Sequence, residues 1–376
     1  MKKKNTLTLF LYCLSFLLML STATAQDSIN NVFFERINAD EVHFFYDQNY
    51  FLVDKNCEFK SIERHAGFDR STNKFDGKFA DYTVDGTLLL TGSYTQGAKN
   101  GSFIAYHPNR QIKWEVTFKD NQPEGFWNYF YPDGKPYLSV SFSDSTTRIV
   151  SQWDRRGKLG VKLGDGRYEF LNPIDGFSEY GFGFYSMSGR IKDGLPNGAW
   201  TIHFENPEAK QKEFAAEEYY RDGVLIRGYD AFKDAEYTTP TYGILPYDNF
   251  YRAETLLFKQ CTYDDFTGFT VYLAEYLRNS FQLVQLENPT TTDFAFEVRL
   301  RKDGTPRGIK IVKPLPDEIN DSFRKVIESI PYYVPSFKLG EYIDDTITVY
   351  GTMSTAADSS LQFQTNRIER KLEHNK

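Results

Sequence analysis

Cysteine is scarce in this chain of 376 residues: there are three, and Cys13 lies within the first apolar stretch. No Cys-x-x-Cys pair or Cys/His ligand spacing occurs, which argues against a zinc site. The five histidines, His43, His65, His107, His203 and His374, are likewise scattered without ligand spacing. His203 stands where a repeated aromatic would be and reads as structural. The sequence has no Gly-x-Ser-x-Gly elbow, P-loop or His-Glu-x-x-His motif. Gly164-Asp165-Gly166 lacks the third glycine of a dinucleotide site. The carboxylate pairs Glu217-Glu218 and Asp264-Asp265 point to opposite faces if they lie on strands, and read as solvated surface. A net charge of −7 gives no basic footprint for nucleic acid. No polybasic run follows Lys4, so attraction to anionic lipid is unsupported as well. The expectation is a non-enzymatic protein with no catalytic, cofactor-binding or metal residues.

Aromatic rings are abundant. With 33 Phe and 26 Tyr, rings make up 17% of residues, and they fall in short runs suited to strands. Asn100-Gly101-Ser102-Phe103-Ile104-Ala105-Tyr106 is echoed by Glu124-Gly125-Phe126-Trp127-Asn128-Tyr129-Phe130 and by Asn197-Gly198-Ala199-Trp200-Thr201-Ile202-His203. Gly101 and Gly125 are 24 residues apart, and self-similarity at that period marks a stacked array. Each hairpin buries one face only by stacking on its neighbours, and function in such arrays lies on extended surfaces. The repeat motif is Gly101, Phe103, Gly125, Trp127, Gly198 and Trp200, whose rings are expected chiefly as core. Asp133-Gly134, between aromatic strands, predicts a primed hairpin turn with positive φ at the glycine. The pattern loosens between Ser143 and Phe184, as degenerate repeats with an insertion would.

The expected fold class is α+β, with an all-β hairpin array and a small C-terminal ββαβ domain. Residues 1–25 read as a signal peptide: Lys2-Lys3-Lys4, an uncharged apolar run from Leu7 to Leu20, then Ala23-Thr24-Ala25. An uncleaved inner-membrane anchor is the alternative, although the run is shorter than the ~20 residues a spanning helix needs. An entry segment follows over 26–76, then the array over 77–229 and a turn-rich linker over 230–262. Cys57 and Cys261 fall in different expected domains, and their pairing stays open. Within 263–353, apolar residues at 269, 272, 273, 276 and 277 predict a helix. Strands are expected over 294–300, 308–312 and 344–353, with a helix over 318–330 that Pro331 ends. Residues 354–376 read as a polar tail.

The Gly-x-Trp/Phe-x-x-Tyr/His units over 77–229 resemble variant MORN repeats of the YwqK-like group, associated with protein or lipid contacts and not usually with catalysis. Residues 265–353 resemble the C-terminal domain of TonB energy transducers. That resemblance rests on the helix at 269–279, the strand at 294–300, Lys302-Asp303-Gly304-Thr305, and Pro331-Tyr332-Tyr333-Val334-Pro335 followed by Gly340. Pro331, Tyr333, Pro335 and Gly340 stand for the family's Pro-x-Trp-x-Pro and glycine, with Tyr333 replacing the Trp. The resemblance implies that an extended peptide pairs beside the last strand, through Asp345, Thr346, Ile347, Thr348, Val349, Tyr350 and Gly351. Strand addition works through unpaired backbone groups. The competing reading is that this strand is already paired, within the chain or in a homodimer through the same domain.

The reading is an exported protein, periplasmic or outer-membrane associated, that binds an envelope protein or peptide, with an outer-membrane transporter among the candidates. The array acts as scaffold. The alternatives are a TonB-type energy transducer for outer-membrane transport, and a hydrolase of envelope polymers, which would need facing carboxylates.

Overall fold

The computed structural model describes residues 31–143, 146–174, 177–261, 266–286, 288 and 290–371. The expected leader over 1–25 and the Asp264-Asp265 pair lie outside them. The chain divides into Met1–Val32 and Phe33–Lys376, and every element below belongs to the second unit.

Short aromatic strands separated by tight turns build an antiparallel meander of eighteen strands. It begins with β1 (Phe34–Arg36), β2 (Glu41–Tyr46), β3 (Ile62–Asp69), β4 (Lys74–Thr83), β5 (Leu88–Thr95) and β6 (Ala98–Lys99). It continues through β7 (Gly101–Tyr106), β8 (Ile112–Lys119), β9 (Gln122–Phe130), β10 (Pro136–Ser143), β11 (Thr146–Trp153) and β12 (Leu159–Lys162). The last six are β13 (Asp165–Pro173), β14 (Phe184–Lys192), β15 (Leu195–Asn206), β16 (Gln211–Arg221), β17 (Val224–Asp230) and β18 (Ala235–Tyr237). The ladder therefore starts upstream of the expected array, and it runs unbroken through the stretch where the sequence pattern loosens.

Turn chemistry sets the register at one end of the sheet. Gln96-Gly97, Asp120-Asn121, Leu163-Gly164, Asp193-Gly194 and Asp222-Gly223 each have positive φ at both positions, the two-residue turn whose twist matches that of paired strands. The turn at Asp133-Gly134 corrects the sequence expectation. Gly134 has φ 79°, but Asp133 does not share it, and Tyr131 N–H donates to Lys135 O while Gly134 N–H donates to Tyr131 O. This is the longer loop, a type I turn closed by a left-handed glycine.

Alternation places rings on one face of the sheet. Phe103, Trp114, Tyr168, Met187, Trp200 and Ile202 are all buried there. Trp200 is the cross-strand partner of Gly189, and a Cβ at Gly189 would collide with its indole. Gly198 has open space around it but a φ of 76°. Gly189→Ala should therefore cost up to about 3 kcal/mol by overpacking, and Gly198→Ala about 1 kcal/mol from backbone strain alone. Urea midpoints of the two variants check this, and the reverse order would contradict the packing described.

The segment expected as a linker is a strap. From Thr241 to Lys259 it runs back along the ring-bearing face. Tyr185 Oη donates to Gly243 O (3.0 Å), Tyr168 Oη to Ile244 O (3.0 Å) and Asn172 Nδ2 to Leu245 O (2.8 Å). Trp114 Nε1 donates to Asp248 Oδ2 (2.8 Å), while Tyr94 Oη and Lys99 Nζ both reach Glu254 Oε1. Phe250 and Ala253, on a 3-10 turn (Phe250–Thr255), are buried in the same core. The strap ends by pairing with Leu52, whose N–H donates to Leu257 O and whose carbonyl accepts from Lys259 N–H. Cys57 and Cys261 then close a disulfide, with Cα atoms 5.5 Å apart.

That course fixes the curvature. The strap touches β16 through Thr241 and β2 through Ala253. Flat, those strands would lie roughly 60 Å apart at ~4.8 Å per step. Twelve residues of chain span at most about 40 Å. The sheet must curl around the strap for both contacts to exist.

The C-terminal elements are α1 (Thr267–Ser280), β19 (Thr291–Leu300), β20 (Pro306–Lys313), α2 (Asp317–Glu328), β21 (Ser336–Lys338), β22 (Glu341–Ile343), β23 (Asp345–Thr355) and β24 (Leu361–Arg370). A four-stranded sheet in the order β20-β19-β23-β24 carries both helices' apolar stripes. Phe269, Leu273 and Leu277 from α1 and Ile319, Phe323 and Ile327 from α2 share a core with Phe294, Phe296, Ile347 and Val349. The segment expected as a polar tail contributes β24. Leu361 and Phe363 alternate with Gln362 and Gln364, and the two apolar residues are buried.

Candidate functional site

The strand proposed from the sequence as a free edge is not one. Asp345 to Gly351 pair with Leu300 to Phe294 of β19 on one side, and Ile347 to Gly351 pair with β24 between Arg370 and Thr365 on the other. Backbone groups needed for strand addition are already used, because the tail folds back as a hairpin. Asp345 is buried and accepts from Ser336 Oγ at 2.6 Å. Ile347, Thr348, Val349 and Gly351 are buried too, and Arg367 lies 4.3 Å over the Tyr350 ring. Thr346 is half-buried.

The other sequence-derived residues separate in role. Phe103 and Trp200 are fully buried core, while Trp127 is half-buried and meets Trp114 edge-on at 5.1 Å. Gly101, Gly125 and Gly198 all carry positive φ, the first where β7 begins and the other two within β9 and β15. Tyr333 is fully buried against Phe269, and its hydroxyl donates to Ile327 O, so it is packing. Pro331 is half-buried and Gly340 has φ 88°. Of the motif, Pro335 alone lines a cavity.

That cavity is a cleft of about 820 Å³ where the array, the strap and the C-terminal unit meet. Its walls are built by short, well-anchored segments. From the array come Ile174, Phe177 and Phe184, with Asn49 and Glu208 from two turns. Asp47 accepts from the N–H groups of Asn49 (2.8 Å) and Phe51 (3.0 Å), and Asn249 Nδ2 and Arg252 Nη1 tie Asn49 to the strap. From the C-terminal unit come Lys302, Asp303, Tyr332, Val334, Pro335, Glu341 and Tyr342. Tyr333 N–H donates to Gly304 O, fixing the 331–335 segment onto the 301–305 turn. Tyr332 stacks on Phe177 with rings 5.8 Å apart and 3° from parallel.

A second chamber of about 800 Å³ adjoins the first, sharing Pro173, Ile174, Phe177 and Tyr247. Tyr180, Tyr185, Phe204 and Tyr242 line it. Tyr180 stacks on Phe232 at 4.3 Å, and burial followed by the neighbouring Glu179 pushes its phenol up to about 12.

Charge in both chambers has one dominant sign. Glu208, Asp303 and Glu341 face Lys302 in the first; Glu179, Asp230 and Glu236 face Lys233 in the second. Hydrogen bonds from the Thr305 side chain and N–H hold the Asp303 carboxyl below its usual range. Burial raises the Tyr332 phenol first, and the nearby Tyr342, Asp303 and Glu208 add to it. The cleft thus offers aromatic faces under a negative field. Its lining includes no histidine or cysteine among the described residues.

Two buried or paired groups went unseen in the sequence. Glu218, expected at the surface, is fully buried: its neighbour Glu217 takes the outward face, and Tyr220 Oη (2.8 Å) and Tyr237 Oη (3.0 Å) donate to Glu218. His43 and His65 stand directly opposite each other on β2 and β3, with rings 4.4 Å apart. Glu63 Oε2 is 3.2 Å from His43 Nε2, and Glu41 Oε1 is 4.0 Å from His65 Nδ1. No metal-holding group of three or more ligands occurs among the described residues.

Burial, then the His65 charge, lower the His43 imidazole below its ordinary value, against the pull of Glu63 and Glu35. The unfolded chain then binds the proton more readily than the folded one. Stability from this group is full above the ordinary histidine value and falls as pH drops through it, by at most about 1.4 kcal/mol per pH unit. Urea midpoints between pH 7.5 and 5 should fall more steeply in the native protein than in His43→Gln. Parallel slopes would exclude His43 as the cause.

No known protein-family model matches this chain, and no curated protein matches it. Among the described residues no helix is long and apolar enough to cross a membrane.

Proposed function

We propose that this is an exported, non-enzymatic protein of the cell envelope that binds a protein or peptide partner in the cleft between the strapped array and the C-terminal unit. On this reading the array is a MORN-like scaffold and the C-terminal unit is of the TonB C-terminal type. The observation that carries the proposal is the cleft: about 820 Å³, walled by aromatic and aliphatic side chains with a few polar groups at its rim. Concave sites of that size and make-up are the usual seats for ligands and peptide side chains. Export is supported by the Cys57–Cys261 disulfide, because such bonds persist in oxidising compartments.

A photo-crosslinking amino acid placed at Tyr342 or Glu208 in intact cells tests this. Both positions line the cleft, whereas Glu124 is exposed on β9 and lines neither chamber. A discrete crosslinked protein from the two cleft positions and none from position 124 is expected. No product, or the same products from all three, would overturn the proposal.

A further inference from the structure

We infer that the two chambers form one groove for an extended, basic segment of the partner, its apolar side chains on the aromatic walls and its lysine or arginine heads at the carboxylates. This deepens the reading of the cleft as a partner site and rests on it. Three observations carry it. The chambers, about 820 and 800 Å³, are neighbours with Pro173, Ile174, Phe177 and Tyr247 in the lining of both, so one extended segment passing over these four residues would occupy the two together. Each holds three carboxylates against one lysine. Glu208, Glu341, Glu179 and Glu236 are exposed at the rims, so a bound cation reaches them without being stripped of all its water.

Long basic side chains suit this geometry because their methylene stems lie along apolar walls while the charge stays at the rim. Tyrosine faces add attraction for the same cations. An acidic segment would meet like charge in both chambers, which disfavours it by the same Coulombic term.

The probe is a fluorescein-labelled decapeptide alternating lysine with valine and tyrosine, compared with its glutamate-for-lysine counterpart against the full chain. Fluorescence anisotropy should show at least about tenfold tighter binding of the lysine peptide at low salt, narrowing as salt screens the charges. Glu208→Gln/Glu341→Gln and Glu179→Gln/Glu236→Gln should each weaken it by about five- to thirtyfold, from two rim charges of roughly 0.5–1 kcal/mol apiece. A control, Glu124→Gln/Glu328→Gln, removes the same charge outside both chambers and should leave binding within about twofold. Thermal melts confirm that all variants are folded. Equal affinity for the two peptides, no binding of either, or an equal loss in the control overturns the inference. Loss in only one groove variant overturns the continuity of the groove. Cleft crosslinking would still succeed in each of those cases, which separates a wrong charge assignment from a wrong site.

Discussion

Replacing Cys57 and Cys261 with serine is expected to destabilise the protein by 2–5 kcal/mol, among the largest effects of any change in it. The bond spans a sequence separation of 204 residues. Chain-entropy arithmetic for a closed loop of that length gives about 5 kcal/mol at 25 °C as an upper figure. Topology adds a local consequence. The bond fastens the far end of the strap beside the first strands, where the Leu52–Leu257 and Lys259–Leu52 hydrogen bonds end the return path. Without it, that end of the strap should fray first. Amide exchange at Leu52 and Lys259 should then accelerate well before exchange at Val116 or Ile202, which sit in central strands. Denaturant midpoints of native and serine variants, with and without reductant, check the magnitude. Because Cys57 is buried, the variant is a cleaner comparison than brief reduction. A serine variant with the native midpoint and native exchange at Leu52 would show that the strap holds itself.

The array was legible because its signals are local. Gly101, Gly125 and Gly198 carry the positive φ that the repeated glycine implies, and the rings that follow two of them, Phe103 and Trp200, alternate into the core. The helix at 269–279 was legible for the same reason: its apolar stripe repeats at helical spacing, and Phe269, Leu273 and Leu277 are the buried members. What could not be read depends on partners far away in the chain. The strap looks like a linker because Thr239, Pro240 and Gly243 are turn residues, and nothing nearby reveals that Tyr168 and Tyr185 will bind its carbonyls. Strand β24 left a faint trace in the Leu361/Phe363 alternation, outweighed by four charged residues from Arg367 to Lys371 and the histidine beyond. Missing it turned an interior strand, paired on both sides, into an apparent edge open to strand addition. The cleft was invisible for a similar reason: Asn49, Phe177, Glu208 and Tyr332 converge only once strap, insertion and C-terminal unit are assembled.

Asp81→Ala is expected to cost about 3–5 kcal/mol, the range for removing one partner of a buried ion pair. Arg64 and Asp81 face each other across β3 and β4, both fully buried. Arg64 Nε donates to Oδ1 at 2.6 Å and Nη2 to Oδ2 at 2.8 Å, the two-pronged geometry that suits a guanidinium, while Tyr50 Oη donates to Oδ2 at 2.9 Å. The rest of the box is aromatic: Phe79, Phe75, Tyr50 and Tyr46 rings lie 4.3 to 5.8 Å from the guanidinium carbon. Burial by itself would drive the Arg64 proton off, but the Asp81 charge and hydrogen bonds outweigh it, and the group stays cationic. Taking away the carboxylate leaves a full charge among rings, with cation–π attraction of about 2 kcal/mol as its main remaining support. Arg64→Met/Asp81→Leu removes charge and counter-charge together and should recover most of the loss, since apolar replacements of buried pairs are often neutral. A double-mutant cycle from denaturant midpoints decides between the two accounts. If the double variant is as unstable as Asp81→Ala alone, the pair's worth lies in shape, and the electrostatic account of this corner fails.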